Sequence, residues 1–267
     1  MRTIPYTRRP FLLAALACLG ACSAPQLDVM PRIAQTKLDG TIGAATSGSA
    51  LAENDIDSAL GLGETSSEFG GRADLDFGGE TFTLAYSPAT FSGNGTLTQD
   101  ITYNGTTIPA TTNVASKFDL DMTSFLWTHD FVPGDTVEAG IGLGAHAIDF
   151  KGKVTSTDVG TPGSVDLSET VPIPVLVGRA GVSFGRADVS VLASGLSGTY
   201  SGDKATLFDL DVLGRWRILG SSSGHLSGSL LVGYHRTKVD VDYESGGDRV
   251  KADLTLSGIY YGLSIGF

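Results

Sequence analysis

The last eighteen residues constrain this chain most. Counting back from Phe267 in twos gives Ile265, Leu263, Tyr261 and Ile259, while Gly266, Ser264, Gly262, Tyr260 and Gly258 fall between them. A period of two with one apolar face is a β-strand. The opposite face is almost bare of bulk, which suits a crowded interior or a lumen. The apolar face is then the outside, turned to lipid.

Nine earlier segments alternate in the same way. Residues 37–46, 69–77, 80–91, 117–131, 136–153, 171–184, 187–200, 205–219 and 225–243 are expected as strands, with 250–267 as the tenth. Gly78-Gly79 reads as a hairpin turn, and Val132-Pro133-Gly134, Gly185-Arg186 and Ser201-Gly202-Asp203 also read as turns. A short helix is expected over 54–60, capped by Asn54. The polar stretches 92–116 and 155–169 read mostly as loop. Pro172 and Pro174 remove ladder donors, so their strand is expected to start above the membrane or irregularly.

Links after the even strands are short and several after the odd strands are long. Every even strand carries an aromatic near its end: Phe77, Phe131, Phe184, Trp216 and Phe267. Under an up-and-down closed topology these sit at one depth, as an aromatic belt does. The expected fold is all-β, a closed antiparallel transmembrane β-barrel of about ten strands. Eight remain open if the first strand lies outside. A soluble lipocalin-like barrel or sandwich is the alternative.

The beginning is a targeting segment. Arg2, Arg8 and Arg9 precede an apolar run, Phe11 to Ala21, that is too short to span a bilayer. Leu19-Gly20-Ala21-Cys22 resembles the lipobox of bacterial lipoproteins, which implies lipid on Cys22. Ordinary signal-peptidase cleavage is the other reading. Cys18, the one other cysteine, lies inside the removed segment, so no disulfide is expected. Residues 1–21 are thus a signal peptide; 22–36, with Pro25, Pro31 and little pattern, read as a periplasmic tether, and 37–267 as the barrel.

The 36 glycines and the net charge of −11 suit a barrel and exclude a nucleic-acid partner, which such a charge repels. In its alternation, its turn pattern and its terminal Phe267, the chain resembles small OmpA-like outer-membrane barrels of Gram-negative bacteria. The resemblance implies an outer-membrane location with both termini periplasmic. It also implies lipid as surroundings and recognition of the last strand by the barrel-assembly machinery. A lipid anchor and ten strands depart from that family.

With the apolar face outward, a charge network falls inside: Arg72, Asp74, Asp76, Glu138, His146, Arg179, Asp209, Asp211, Arg215 and Arg217, with Asp188 and His235. Unpaired buried charges are costly, so these are expected to pair and fill the lumen. A barrel near eight strands is filled by its side chains. The function read from this is a structural or surface-interaction role. A small transport pore or ligand channel is the alternative, and an outer-membrane hydrolase comes third.

The chemical motifs are weak. Asp74 and Asp76 are expected far from Asp209 and Asp211, too far to act together as in ten-stranded outer-membrane proteases. Asp119 and Asp121 face an undecided side. His225 and Ser227 have the spacing of outer-membrane lipid A deacylases but fall at the wrong end. No metal site, cofactor or catalytic residue is expected, and the chain is read as a non-enzyme.

Overall fold

The computed structural model describes residues 25–46, 48, 51–132, 136–160, 163–200, 203–220, 226–245 and 247–267. The targeting segment with Cys22, the turn at 133–134 and His225 lie outside the described residues. Thirteen strands run in chain order: β1 (Gln26–Thr46), β2 (Asn54–Asp55), β3 (Ser66–Phe77), β4 (Glu80–Thr96), β5 (Ile101–Tyr103), β6 (Thr106–Ile108), β7 (Asn113–Val132), β8 (Val137–Ser156), β9 (Ser164–Phe184), β10 (Ala187–Tyr200), β11 (Asp203–Leu219), β12 (Ser227–Ser245) and β13 (Asp248–Gly266). Ten of them form one antiparallel sheet in the order β13-β12-β11-β10-β9-β8-β7-β4-β3-β1. β1 also pairs with β13, so the sheet closes. β2 leans on β1 at Thr41 and Ile42, and β5–β6 form a separate small hairpin.

One rim carries the tight turns. Gly78 and Gly79 both have positive φ, 66° and 87°, which only glycine adopts at little cost. Both ends of the barrel wall meet at this rim: Leu27 and Phe267 exchange backbone hydrogen bonds of 3.2 and 2.9 Å. The two longest links, 47–65 and 97–112, lie at the opposite rim, where the β10–β11 and β12–β13 links are short, and the 220–226 link at the first rim is longer than its neighbours.

The first strand begins eleven residues before the expected Lys37, so residues 26–36 are barrel wall and not tether. A proline such as Pro31 argues against a strand interior. Its missing donor is tolerated because the β1–β13 register is interrupted at Met30 and Pro31, while β1 stays paired to β3 through Pro31 and Gly71. Of the expected helix over 54–60, Asn54–Asp55 form the short strand β2 and 56–60 are turns. So short a segment does not repay helix nucleation. Asn54 uses its side chain elsewhere, accepting from the backbone amides of Thr98 and Gln99 at 2.9 and 3.0 Å. The stretches 92–116 and 155–169 are largely strand: β4 reaches Thr96, β7 starts at Asn113, β8 reaches Ser156 and β9 starts at Ser164.

Those additions make the strands long. β1 and β9 have 21 residues, and β7 and β8 have 20, about twice the ~9–11 that span a bilayer. Polarity shows what the surplus is for. Near the short-turn rim of β13, Ile259, Tyr261, Leu263 and Ile265 are exposed while Tyr260 and Ser264 are buried. Farther along the same strand Val250, Ala252 and Leu254 are buried, and the outward positions are Lys251 and Asp253. The alternation continues unbroken but its two faces exchange character.

Neighbouring strands switch at matching heights. The outward pair Tyr234 and Ile259 is followed by Arg236 and Ser257; Thr123 and Ala147 are followed by Asp121 and Asp149. Below the switch the wall is apolar outside. Above it the outer face carries ion pairs such as Lys117–Asp119 at 2.9 Å, Lys238–Asp253 at 3.2 Å and Arg249–Asp242 at 2.7 Å. Ile259 to Phe267, at about 3.3 Å per residue and a tilt of about 40°, give an apolar band about 23 Å tall, close to that of membrane barrels. The lower half is therefore built for lipid and the upper half for water.

Candidate functional site

The lower interior is a web of charges. Arg32 is its hub. It reaches across the lumen from β1 to Asp211 on β11 at 3.0 Å and donates to Ser87 Oγ on β4 at 2.8 Å. Its guanidinium lies 4.5 Å from the centre of the Tyr260 ring, and the Tyr260 hydroxyl also donates to Asp211. Gly233 makes room for that ring, because a Cβ there would collide with it. Arg72 binds Asp74 at 2.8 Å and lies 3.9 Å from Asp211.

A second web lies nearer the short-turn rim. Arg179 holds both Glu138 oxygens at 2.9 Å, donates to Thr81 and stands 3.9 Å from Asp76. Arg215 meets Asp28 at 3.2 Å and Arg217 approaches Asp188 at 3.7 Å. Near the switch level, Asp209 accepts from His235 and Thr237 at 2.7 and 2.6 Å. His146 is fully buried between two serines: Nδ1 is 2.7 Å from Ser124 Oγ and Nε2 is 2.7 Å from Ser194 Oγ.

The expected charge residues thus all line the lumen, with two changes. Asp74 and Asp211 were expected to lie far apart, yet Arg72 joins them. β11 begins at Asp203, which puts Asp211 mid-barrel, and the stagger of a closed barrel shifts strands past one another. Arg32 and Tyr260, the centre of the web, were not singled out. Arg32 lay in the supposed tether, although Asp28, Met30 and Arg32 alternate with Leu27 and Val29 in the same period of two. Asp119 is outward, paired with Lys117. Phe131, Phe184, Trp216 and Phe267 are exposed, and Phe77 is half-buried, stacked on Phe82 at 5.5 Å. Each lies within about three residues of the short-turn end of its strand.

The upper interior is apolar. Ile56, Leu60 and Leu62 of the β1–β3 link and Ile101 and Ile108 of the small hairpin fold into the mouth against Leu38, Phe91 and Phe118. Among the described residues this cap fills one side of the mouth. On the other side is a cavity of about 660 Å3, lined chiefly by Ile148, Phe150, Ile173, Val241, Leu254 and Leu256, with Leu196 and Gly198 on the β10 side.

The cavity adjoins a break in the wall. β9 and β10 pair from Phe184 and Ala187 only as far as Leu176 and Gly195. Above that, β10 continues to Tyr200 beside β11, and β9 continues back to Ser164 beside β8. The break is written in the sequence. The amide of Ser183 donates to Thr136 on the β8 side at 2.8 Å. Strand amides alternate in direction, and the β8–β9 register has no bulge, so even-numbered β9 residues face β10. Pro172 and Pro174 are even. Two donors that would zip the wall shut do not exist.

No family model matches the chain, and no curated protein matches it in sequence. Solved structures are similar in fold. The outer membrane protein OprG from Pseudomonas aeruginosa has 11% identity over 91% of this chain and 96% of its own, with a TM-score of 0.41. A FadL homologue from the same organism has 10% identity over 94% and 92%, with a TM-score of 0.35. Ail of Yersinia pestis, the attachment invasion locus protein, has 8% identity over 87% and 97%, with a TM-score of 0.26. At these identities and TM-scores the likeness carries no argument of its own. By its closed ten-stranded wall and apolar outer band, the chain is a ten-stranded transmembrane β-barrel.

Proposed function

We propose that the protein is an outer-membrane barrel that takes a small apolar molecule into its upper half and exchanges it sideways, through the break between β9 and β10. Both chain ends and the tight turns face the periplasm in this reading, and Cys22 carries lipid. The observation that carries the function is the cavity of about 660 Å3 beside an unpaired wall. Its size falls in the range of small-molecule sites. Its lining is mostly apolar, as a site for a small apolar molecule requires. The charged web beneath the cavity closes the direct route down the lumen, so the ligand-channel alternative takes a lateral form here, and we favour it over the structural or surface-interaction role.

The test uses the full chain in lipid nanodiscs with N-phenyl-1-naphthylamine, whose fluorescence rises in apolar surroundings. Gly198 lines the cavity, and a Cβ there meets nothing within 4 Å. Gly198→Trp is expected to fill the space, weaken probe binding at least tenfold and leave the unfolding midpoint unchanged. Undiminished binding in that variant would overturn the reading. Intact-mass measurement of the membrane form tests Cys22: an N-terminus without an acyl adduct there removes the lipid anchor.

A further inference from the structure

The cavity has an unusual floor. Directly beneath it lies a smaller pocket of about 50 Å3, which shares Leu120, Ile148, Val239 and Leu256 with it. That volume holds about three or four waters, or the few heavy atoms of a small head group. Its lower wall is polar: Arg32, Thr36, Ser87, His235 and Thr237.

Several of these groups have hydrogen-bonding capacity left over. Ser87 Oγ accepts from Arg32 and keeps its own proton to donate. His235 uses Nε2 on Asp209, and among the described residues neither its Nδ1 nor Thr36 Oγ1 has a partner. Buried side-chain atoms without a partner are costly and few, and among the described residues they are Ser116 Oγ and Asp130 Oδ1. Thr36 Oγ1 and His235 Nδ1 are absent from that set although they have no partner among the described residues, as expected of atoms that face open space.

Resting on the reading of the cavity as a ligand site, we infer that its occupant is an amphiphile: an apolar body in the upper cavity and a small, uncharged, hydrogen-bonding head, such as a hydroxyl, among Ser87, Thr36 and His235. Charge sets the neutrality. Arg32 and Arg72 face Asp74, Asp209 and Asp211, with His235 as the sixth member. With His235 protonated the cluster sums to zero; with His235 neutral it sums to minus one. A carboxylate head adds an uncompensated charge in either state, and a buried uncompensated charge is costly. A hydroxyl adds none: it can accept from Ser87, and it can donate to Nδ1 of a neutral His235 or accept from Nδ1 of a protonated one.

The experiment displaces N-phenyl-1-naphthylamine from the full chain in nanodiscs with dodecane, 1-dodecanol and dodecanoate, compared at equal concentration in the bilayer. The alcohol is expected to displace the probe at roughly tenfold lower concentration than the alkane or the carboxylate. Thr36→Val, and separately Ser87→Ala, are expected to shrink the alcohol's advantage severalfold while leaving alkane displacement unchanged. Equal displacement by alcohol and alkane would overturn the head pocket and leave the cavity reading intact. Tighter binding of dodecanoate would overturn its neutrality. Failure of the probe and of all three compounds to bind would overturn both the cavity and the head pocket.

Discussion

The two halves of the barrel use the same strands and the same alternation to opposite ends. Below the switch, Ile259, Leu263 and Ile265 meet lipid while Arg32, Arg72 and Asp211 fill the lumen. Above it, Lys117, Asp119 and Lys238 meet water while Leu38, Phe118 and Leu254 fill the lumen. A transmembrane barrel buries its polar groups inside because hydrocarbon cannot solvate them. A water-exposed barrel buries its apolar groups because water rejects them. This chain joins the two solutions end to end, and its cavity sits just above the joint.

The largest expected effect is in the lower lumen. Arg32→Leu leaves Asp211 without its closest cation, and breaking a buried pair costs about 3–5 kcal/mol. The measurement is the urea unfolding midpoint of the folded barrel. Arg215→Leu serves as the contrast. Arg215 and Asp28 are 23% and 33% exposed, so their loss is expected to cost no more than about 1 kcal/mol. Equal effects of the two substitutions would mean that the lower lumen is wet.

The outer faces come next. Leu263→Arg puts a charge near the middle of the apolar band and is expected to cost about 2–4 kcal/mol, while Thr255→Arg, on the same face of the same strand above the switch, costs close to nothing. Refolding titrations of both variants into vesicles compare them directly. A similar cost at the two positions would erase the boundary between the halves.

These contrasts also mark what the sequence disclosed. Ten strands and closure were legible, because period two, paired turn glycines and end-of-strand aromatics survive as local signals. So was the inward face of Asp209, Asp211 and Arg179, since all three lie at or below the switch. The exchange of faces was not legible as such. Alternation looks the same whichever face is apolar, and nothing local at Ser257 or Asp149 announces that outside has changed from lipid to water. Arg32 was hidden by Pro31, whose penalty depends on which neighbour its missing amide faces. The cavity is a matter of what the cap leaves unfilled. Pro172 and Pro174 pointed to an irregular strand start; the strand instead runs on to Ser164 beside β8, and the missing donors tell only on the β10 side.

Smaller effects probe the cap. Asn54→Ala removes the acceptor for the amides of Thr98 and Gln99, and stranded donors cost about 1–3 kcal/mol. The expected readout is faster hydrogen exchange over residues 97–108, with no change in the lower strands. Acid has the weakest expected effect. The hydrogen bond from Lys251 holds the Glu53 carboxyl below its ordinary range, and the amide of Ser58 does the same for Asp55. Folded-state values below the unfolded ones mean that this stabilisation is complete above the ordinary carboxylate range. It is lost as pH falls through the lowered values. Protection of the cap amides, taken relative to their intrinsic exchange rates, is expected to fall as the pH drops below the ordinary carboxylate range. A cap whose protection is indifferent to that drop would show that these contacts do not hold it.

The switch of faces also fixes the molecule's draught. A barrel that is apolar all the way up can ride high or low in a membrane at little cost. This one has charged pairs immediately above its apolar band, so sinking by a single residue pair drags Lys238 or Asp149 toward hydrocarbon, and rising bares Ile259 and Tyr234. Mismatch of this kind is relieved by deforming the lipid rather than by moving the protein. The opening between β9 and β10 starts at Leu176, close to that waterline. In a thick bilayer acyl chains stand against it, and in a thin one headgroups do. Membrane thickness thereby becomes a control on what the opening meets, exerted with no change in the protein.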